Sequence, residues 1–251
     1  MKLVVNDQLV SYSDEGAGPV LVILHGWGAS LQTFDTIAKR LSGRFRVIRL
    51  DLPGFGQSPK PPDSWFIDDY AHFIASFLSK LGVLSVYAII GHSFGGRITL
   101  KAVGKGYIIP QKVVLIGSAG IKPSESAQKL LYKSVAKVGK QIAKLPLFNK
   151  LQVKLRRRLY ESAGSTDYLE ADTMRTIFLH TIAEDLQADA ANIKQPCLLI
   201  WGENDDATPV ADGRILHSAI RDSQFVVVSR AGHFVYTDKP DEVTKIIEDF
   251  L

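Results

Sequence analysis

The sequence predicts an α/β chain built on a mostly parallel, eight-stranded sheet with helices on both faces and one helical insertion. Three observations carry this expectation. Short β-rich runs alternate with segments of helical spacing over most of the 251 residues, the rhythm of right-handed strand–helix–strand crossovers. Several of those runs are continuously apolar, as strands covered on both faces must be. Apolar residues make up 46% and charged residues 22% of the chain, the proportions of a soluble globular protein, which excludes a disordered tail and a collagen-like or coiled-coil rod. A chain of this length can bury roughly three quarters of its unfolded surface without staples.

In chain order, Leu3 to Asn6 and Leu9 to Ser13 flank an Asn6-Asp7 turn and form a leading hairpin. Val20 to Leu24 is a buried strand ended by His25-Gly26. Leu31 to Leu41 has apolar residues at 31, 34, 37, 38 and 41, which is helical spacing. Arg46 to Leu50 is the next strand, closed by Asp51-Leu52-Pro53-Gly54, and Asp68 to Leu81 is helical. Ser85 to Ile90 is a strand running into Gly91-His92-Ser93-Phe94-Gly95-Gly96, with a helix over Arg97 to Val103. Lys112 to Ile116, Cys197 to Trp201 and Phe225 to Val228 are three further buried strands, and Glu242 to Leu251 is a closing helix. Between Gly120 and Lys194 no strand pattern occurs; lysines 129, 133, 137, 140 and 144 alternate there with apolar residues. The expected organisation is a core of residues 1–120 and 193–251, with a helical cap inserted over 121–192.

The net charge of +4 is unevenly spread. Residues 121–160 hold eleven Lys/Arg and one acid, residues 161–190 hold seven acids and one base, and the remainder balances. A basic block can serve nucleic acid or an anionic membrane surface. No zinc-finger, RNA-binding or helix-turn-helix pattern accompanies it, so no nucleic-acid partner is expected. The simpler reading is one polar-faced insertion whose two stretches partly compensate; a basic amphipathic helix can also rest on a membrane surface. One cysteine, Cys197, forms no internal disulfide and no multi-cysteine zinc site. The longest apolar stretches, Pro19 to Leu24 and Val86 to Ile90, are far shorter than the roughly 18 residues that span a bilayer. The apolar run near Met1 breaks after three residues, too soon for a signal peptide. A cytoplasmic monomer or homodimer is expected.

Gly91-His92-Ser93-Phe94-Gly95 fits G-x-S-x-G between a buried strand and a helix. The turn strains the serine backbone and leaves no room for side chains two residues to either side. A serine hydroxyl needs a base to remove its proton, and His233, in Ala231-Gly232-His233-Phe234 after the last strand, is placed to return to the site. His25 and His92 flank glycine turns and fit packing or backbone bonding; His72, His180 and His217 lie in helical patterns. The carboxylate that fixes the imidazole tautomer falls between serine and histidine in chain order. Asp205, in Trp201-Gly202-Glu203-Asn204-Asp205-Asp206, is the candidate, with Asp206 and Glu203 as alternatives. An oxyanion hole would take the backbone N–H of Phe94 and that of Trp27, in the His25-Gly26-Trp27-Gly28 turn.

On these pieces, together with Asp51-Leu52-Pro53-Gly54-Phe55-Gly56-Gln57-Ser58, the chain resembles the α/β-hydrolases of the lipase/esterase-like branch with one helical cap. The matching pieces span residues 25 to 233 in the family's order. The resemblance implies Ser93 as nucleophile, Asp205 as acid and His233 as base, with the Asp51 to Ser58 stretch a structural turn near the pocket. A serine at the elbow argues against the epoxide hydrolase and haloalkane dehalogenase branches, which place aspartate there. Carbon–carbon bond hydrolases of the fold often carry G-P-G-A in the first oxyanion turn, where this chain has Gly26-Trp27-Gly28-Ala29. The expectation is hydrolysis of a small or medium carboxylic ester or lactone through an acyl-enzyme, with no metal or organic cofactor. Alternatives are carbon–carbon hydrolysis and a slow-turnover ligand sensor on the same fold. Tyr168, Met174, Ile177, Phe178 and Ile182 are candidates to line an apolar pocket with Trp27, Phe94 and Phe234.

Overall fold

The computed structural model describes residues 1–122 and 174–251. The chain opens with a hairpin of β1 (Lys2–Val5) and β2 (Gln8–Glu15). Asn6 and Asp7 both have positive φ, at 46° and 62°, the left-handed pair that a two-residue hairpin turn requires and that Asn and Asp tolerate best. Next come β3 (Val20–Leu24), a 3₁₀ turn over Leu31–Phe34 and α1 (Asp35–Leu41). They are followed by β4 (Arg46–Leu50), α2 (Ile67–Lys80), β5 (Ala88–His92), α3 (Phe94–Gly104) and β6 (Lys112–Ile116). From residue 174 onward, α4 (Arg175–Ala183) and α5 (Gln187–Ala191) lead into β7 (Cys197–Gly202), α6 (Val210–Ala219) and β8 (Ser223–Val228). The chain closes with α7 (Val235–Asp238) and α8 (Pro240–Phe250).

The eight strands form one sheet in the order β1-β2-β4-β3-β5-β6-β7-β8. β2 pairs antiparallel with β1 and β4, and every pairing from β4 to β8 is parallel. The eight-stranded, mostly parallel expectation therefore holds. Period-two alternation divides each of the strands β3 to β8 between two cores. In β3, Val22 and Leu24 join a cluster with Tyr70, Phe77 and Ile98 of α2 and α3. Leu21 and Ile23 join the opposite cluster with Ile37, Leu41, Val243 and Ile247 of α1 and α8. Sealed on both faces, the parallel strands hold their carboxyl-end loops rigidly, which is where an open α/β sheet places its site.

The segment from Glu184 to Asp189 is tied to α3 and to the loop after β6. The amide of Leu186 donates to Gly120 O (2.8 Å), and Arg97 donates to Glu184 O (2.8 Å). Lys101, 7% exposed, pairs with both Glu184 and Asp189 at 2.7 Å. Glu184 and Asp189 thus compensate bases of the core helix; the basic stretch 123–160 and the acids of 161–172 lie outside the described residues. Among the described residues, no helix is long and apolar enough to cross a membrane.

Candidate active site

The sheet delivers three chain segments to one place. The first is the turn between β5 and α3. Ser93 has φ 50° and ψ −108°, a backbone state that costs a non-glycine residue on the order of 1–3 kcal/mol and is tolerated only where the surroundings enforce it. Here Ser93 N donates to Ile116 O (3.1 Å), Gly95 N donates to His25 O (3.0 Å), and Ser93 O accepts from Arg97 N and Ala119 N. A Cβ at Gly95 would collide with the Leu24 and His25 carbonyls, and one at Gly91 would stand 2.6 Å from Gly95 O. The glycines two residues either side of the serine are therefore demanded by backbone crowding, as the motif predicts.

The second segment is the loop after β7. The Asp205 side chain is fully buried. Its Oδ1 accepts from the Ala207 (3.0 Å) and Thr208 (2.8 Å) amides, and its Oδ2 accepts from the Thr208 hydroxyl (2.9 Å). The third segment brings His233, whose Nδ1 lies 2.9 Å from Asp205 Oδ2 and 3.1 Å from Oδ1. Because a carboxylate only accepts, Nδ1 carries the proton and Nε2 keeps the lone pair, the tautomer a general base needs. Asp206 and Glu203 are exposed; Glu203 instead accepts from Arg230 N at 3.0 Å. Asp205 also holds the turn that leads into Thr208.

The Trp27 and Phe94 amides, the candidate oxyanion donors, come from the turn after β3 and the first residue of α3. The two residues are in direct contact, their rings 5.0 Å apart, in a cluster with Phe55 (4.9 Å from Trp27) and Phe178 (5.1 Å from Trp27). Met174 and Ile177 are buried in the same core, Ile182 is partly buried, and Tyr168 lies outside the described residues. Phe234 is 46% exposed, with its ring 5.4 Å from His233.

Two contributors were not singled out from the sequence. Thr208, 6% exposed, has its hydroxyl within reach of two acceptors, Asp205 Oδ2 (2.9 Å) and Gly117 O (3.0 Å), and gives its one proton to one at a time. Phe55 fills the wall beside Trp27 from a stretch read only as a structural turn. His25 does bond to backbone, as expected: Nδ1–H donates to Gly26 O (2.7 Å) and Nε2 accepts from Leu52 N (2.9 Å). Burial lowers its pKa to about 4, so it is neutral. His92 is likewise neutral, its pKa lowered first by burial and then by the nearby His233. Among the described residues no group of three His, Cys, Asp or Glu side chains is arranged to hold a metal ion.

A family model described as the alpha/beta hydrolase fold matches residues 19–240. An uncharacterized hydrolase of Bacillus subtilis is 28% identical, with 98% of this chain and 94% of that protein covered. The 2-hydroxy-6-oxo-6-phenylhexa-2,4-dienoate hydrolase of Comamonas testosteroni is 25% identical, covering 98% of this chain and 92% of its own. The enol-lactonase from Burkholderia xenovorans LB400 superposes with a TM-score of 0.78 at 23% identity, over 100% of this chain and 99% of that one, which speaks for the fold. With strand order, strained elbow and family match in agreement, the chain belongs to the alpha/beta hydrolase fold family.

Proposed function

We propose that this chain is a serine hydrolase that cleaves small to medium carboxylic esters or lactones through an acyl-enzyme. The observation that carries the reading is the buried Asp205 carboxylate held 2.9 Å from His233 Nδ1, on the same end of the sheet as a serine strained to φ 50°. His233 Nε2 takes the Ser93 proton as Oγ adds to the carbonyl carbon. The Trp27 and Phe94 amides receive the developing oxyanion, each worth on the order of 100- to 1000-fold in turnover. Collapse expels the alkoxide, which takes the proton from His233. Water, deprotonated by the same nitrogen, then releases the acid and restores Ser93. Asp205 holds the imidazole and stabilises its cation throughout.

The wall of Trp27, Phe55, Phe94 and Phe178 favours an apolar acyl or leaving group, and residues 121–192 would cover it as a cap. Steady-state hydrolysis of a p-nitrophenyl ester chain-length series and a lactone panel, with Ser93→Ala as control, tests the assignment. Rapid turnover lost in the variant supports it, and the chain-length optimum sizes the pocket. A single slow burst in the wild type would move carbon–carbon bond hydrolysis or ligand sensing ahead of it.

A further inference from the structure

His92, the residue before the candidate nucleophile, is 1% exposed and has no part in the proton transfers above. Its ring is packed among Phe34, Phe234 and Tyr236, with centroids at 6.4, 5.3 and 4.9 Å. A phenyl or leucine side chain would suit those neighbours. An imidazole instead carries a buried Nδ1 with no hydrogen-bond partner, a cost of about 1–3 kcal/mol. The hydrogen bond it does make crosses the molecule: Nε2 lies 3.1 Å from the main-chain oxygen of His233, 141 residues away. A carbonyl can only accept, so Nε2 carries the proton and Nδ1 the lone pair.

The other edge of the ring meets the oxyanion turn. A Cβ at Gly26 would stand 2.8 Å from His92 Nδ1, 3.1 Å from its Cε1 and 3.3 Å from Ser93 Cβ. Gly26 therefore presents a Cα hydrogen to the imidazole lone pair, a weak C–H···N contact that any larger residue would destroy. The opposite side of Gly26 is held through its carbonyl by His25 Nδ1. One buried ring thus touches the base loop, adjoins the serine by the chain itself, and seats the turn that supplies the Trp27 amide.

We propose that His92 is a positioning residue that sets the register of the His233 loop against Ser93 and the oxyanion turn through its Nε2–H bond to the His233 carbonyl. The inference rests on Ser93 and His233 acting as nucleophile and base. Its energetic scale is that of a misplaced base, where an error of about 1 Å costs on the order of 100-fold.

The test compares three substitutions. In His92→Gln the side-chain amide nitrogen occupies the Nε2 position, three bonds beyond Cβ, and restores the donor. In His92→Asn the amide reaches only the Nδ1 position, and His92→Leu offers no donor. Turnover of a p-nitrophenyl ester and the rate of Ser93 labelling by a fluorophosphonate are measured on each folded protein, beside wild type and Ser93→Ala. We expect kcat and labelling rate to fall together by about 100-fold in the Leu and Asn variants, with KM nearly unchanged. His92→Gln should recover to within about fivefold of wild type, the worth of one imperfect hydrogen bond. A purely structural role would follow thermal stability and show no Gln rescue. If the Leu variant does not fold, the Gln–Asn pair alone decides. Equal losses in Gln and Asn, or labelling within about threefold of wild type in Asn, overturn the positioning role while leaving the nucleophile intact. Wild-type protein that takes no label at Ser93 would overturn the assignment of the nucleophile and this inference with it.

Discussion

Asp205→Asn separates the two tasks that the buried carboxylate performs. Oδ1 accepts from the Ala207 and Thr208 amides at 3.0 and 2.8 Å. An asparagine that keeps its carbonyl oxygen there preserves the turn. Its amide nitrogen then replaces Oδ2, facing the Thr208 hydroxyl and His233 Nδ1. Thr208 can adapt by giving its proton to Gly117 O, 3.0 Å away. His233 can adapt only by losing its Nδ1 proton, which forces the Nε2–H tautomer and removes the base. A wrong tautomer costs on the order of 10,000-fold in kcat, about 5.5 kcal/mol of transition-state stabilisation. Folding stability should move by only about 1 kcal/mol, since one hydrogen-bonded set replaces another. Asp205→Ala, which also strips the turn amides of their acceptor, should lose a further 1–3 kcal/mol or so of stability. The assay is kcat/KM on a p-nitrophenyl ester beside thermal unfolding of all three proteins. Asp205→Asn within about tenfold of wild-type turnover would refute the reasoning.

Three further outcomes follow from the geometry. His25 has a pKa of about 4 when folded against 6.5 when unfolded, so the unfolded chain binds more protons between those values. Its contribution is complete above pH 6.5 and is lost as the pH falls toward 4, by about 3 kcal/mol, with His92 acting in the same direction; urea midpoints across that window should fall steadily, and a flat profile would contradict neutral burial. Gly95→Ala drives a methyl into the Leu24 and His25 carbonyls, neither able to move without opening the β3–α3 junction. It should destabilise by about 3 kcal/mol or more, read from the thermal midpoint of whatever soluble protein forms. Thr208→Val, which removes the hydroxyl within reach of Asp205 and Gly117 O, should lower kcat by about tenfold with KM unchanged, as expected for one charge-assisted hydrogen bond near 1.4 kcal/mol; unaltered steady-state kinetics would remove Thr208 from the site.

The parts legible in the sequence are those that leave a pattern in neighbouring residues. G-x-S-x-G could be read because a tight turn at Ser93 demands small neighbours: Gly91 is crowded by Gly95 O of the same turn, and Gly95 by the Leu24 and His25 carbonyls at the end of β3. The central strands could be read because burial on both faces leaves continuous apolar runs; Phe225 to Val228, expected as a buried strand, lies instead in the edge strand β8, where only Val228 is buried. Boundaries set by tertiary packing were harder. α3 starts at Phe94 and not at Arg97, because Gly95 and Gly96 are poor helix formers that the elbow nevertheless commits to helix. β5 runs over Ala88–His92 and not 85–90, since Gly91 and His92 complete the pairing with Leu115 and Ile116 of β6. The helix expected over 31–41 divides into a 3₁₀ turn and α1. Thr208 was hidden for a different reason: one of the two oxygens its hydroxyl can reach, Gly117 O, is 91 residues away and arrives only when β6 and β7 pair. His25 and His92 fit packing or backbone bonding from the sequence and do both, but which backbone atom they find depends on the folded sheet.

The most direct test of the central claim is rapid-quench mass spectrometry of the protein mixed with a short-chain p-nitrophenyl ester, followed by peptide mapping. An acyl group should appear on Ser93 with the burst of nitrophenolate and be absent from Ser93→Ala. An acyl group on another residue, or undiminished turnover in Ser93→Ala, would contradict the claim.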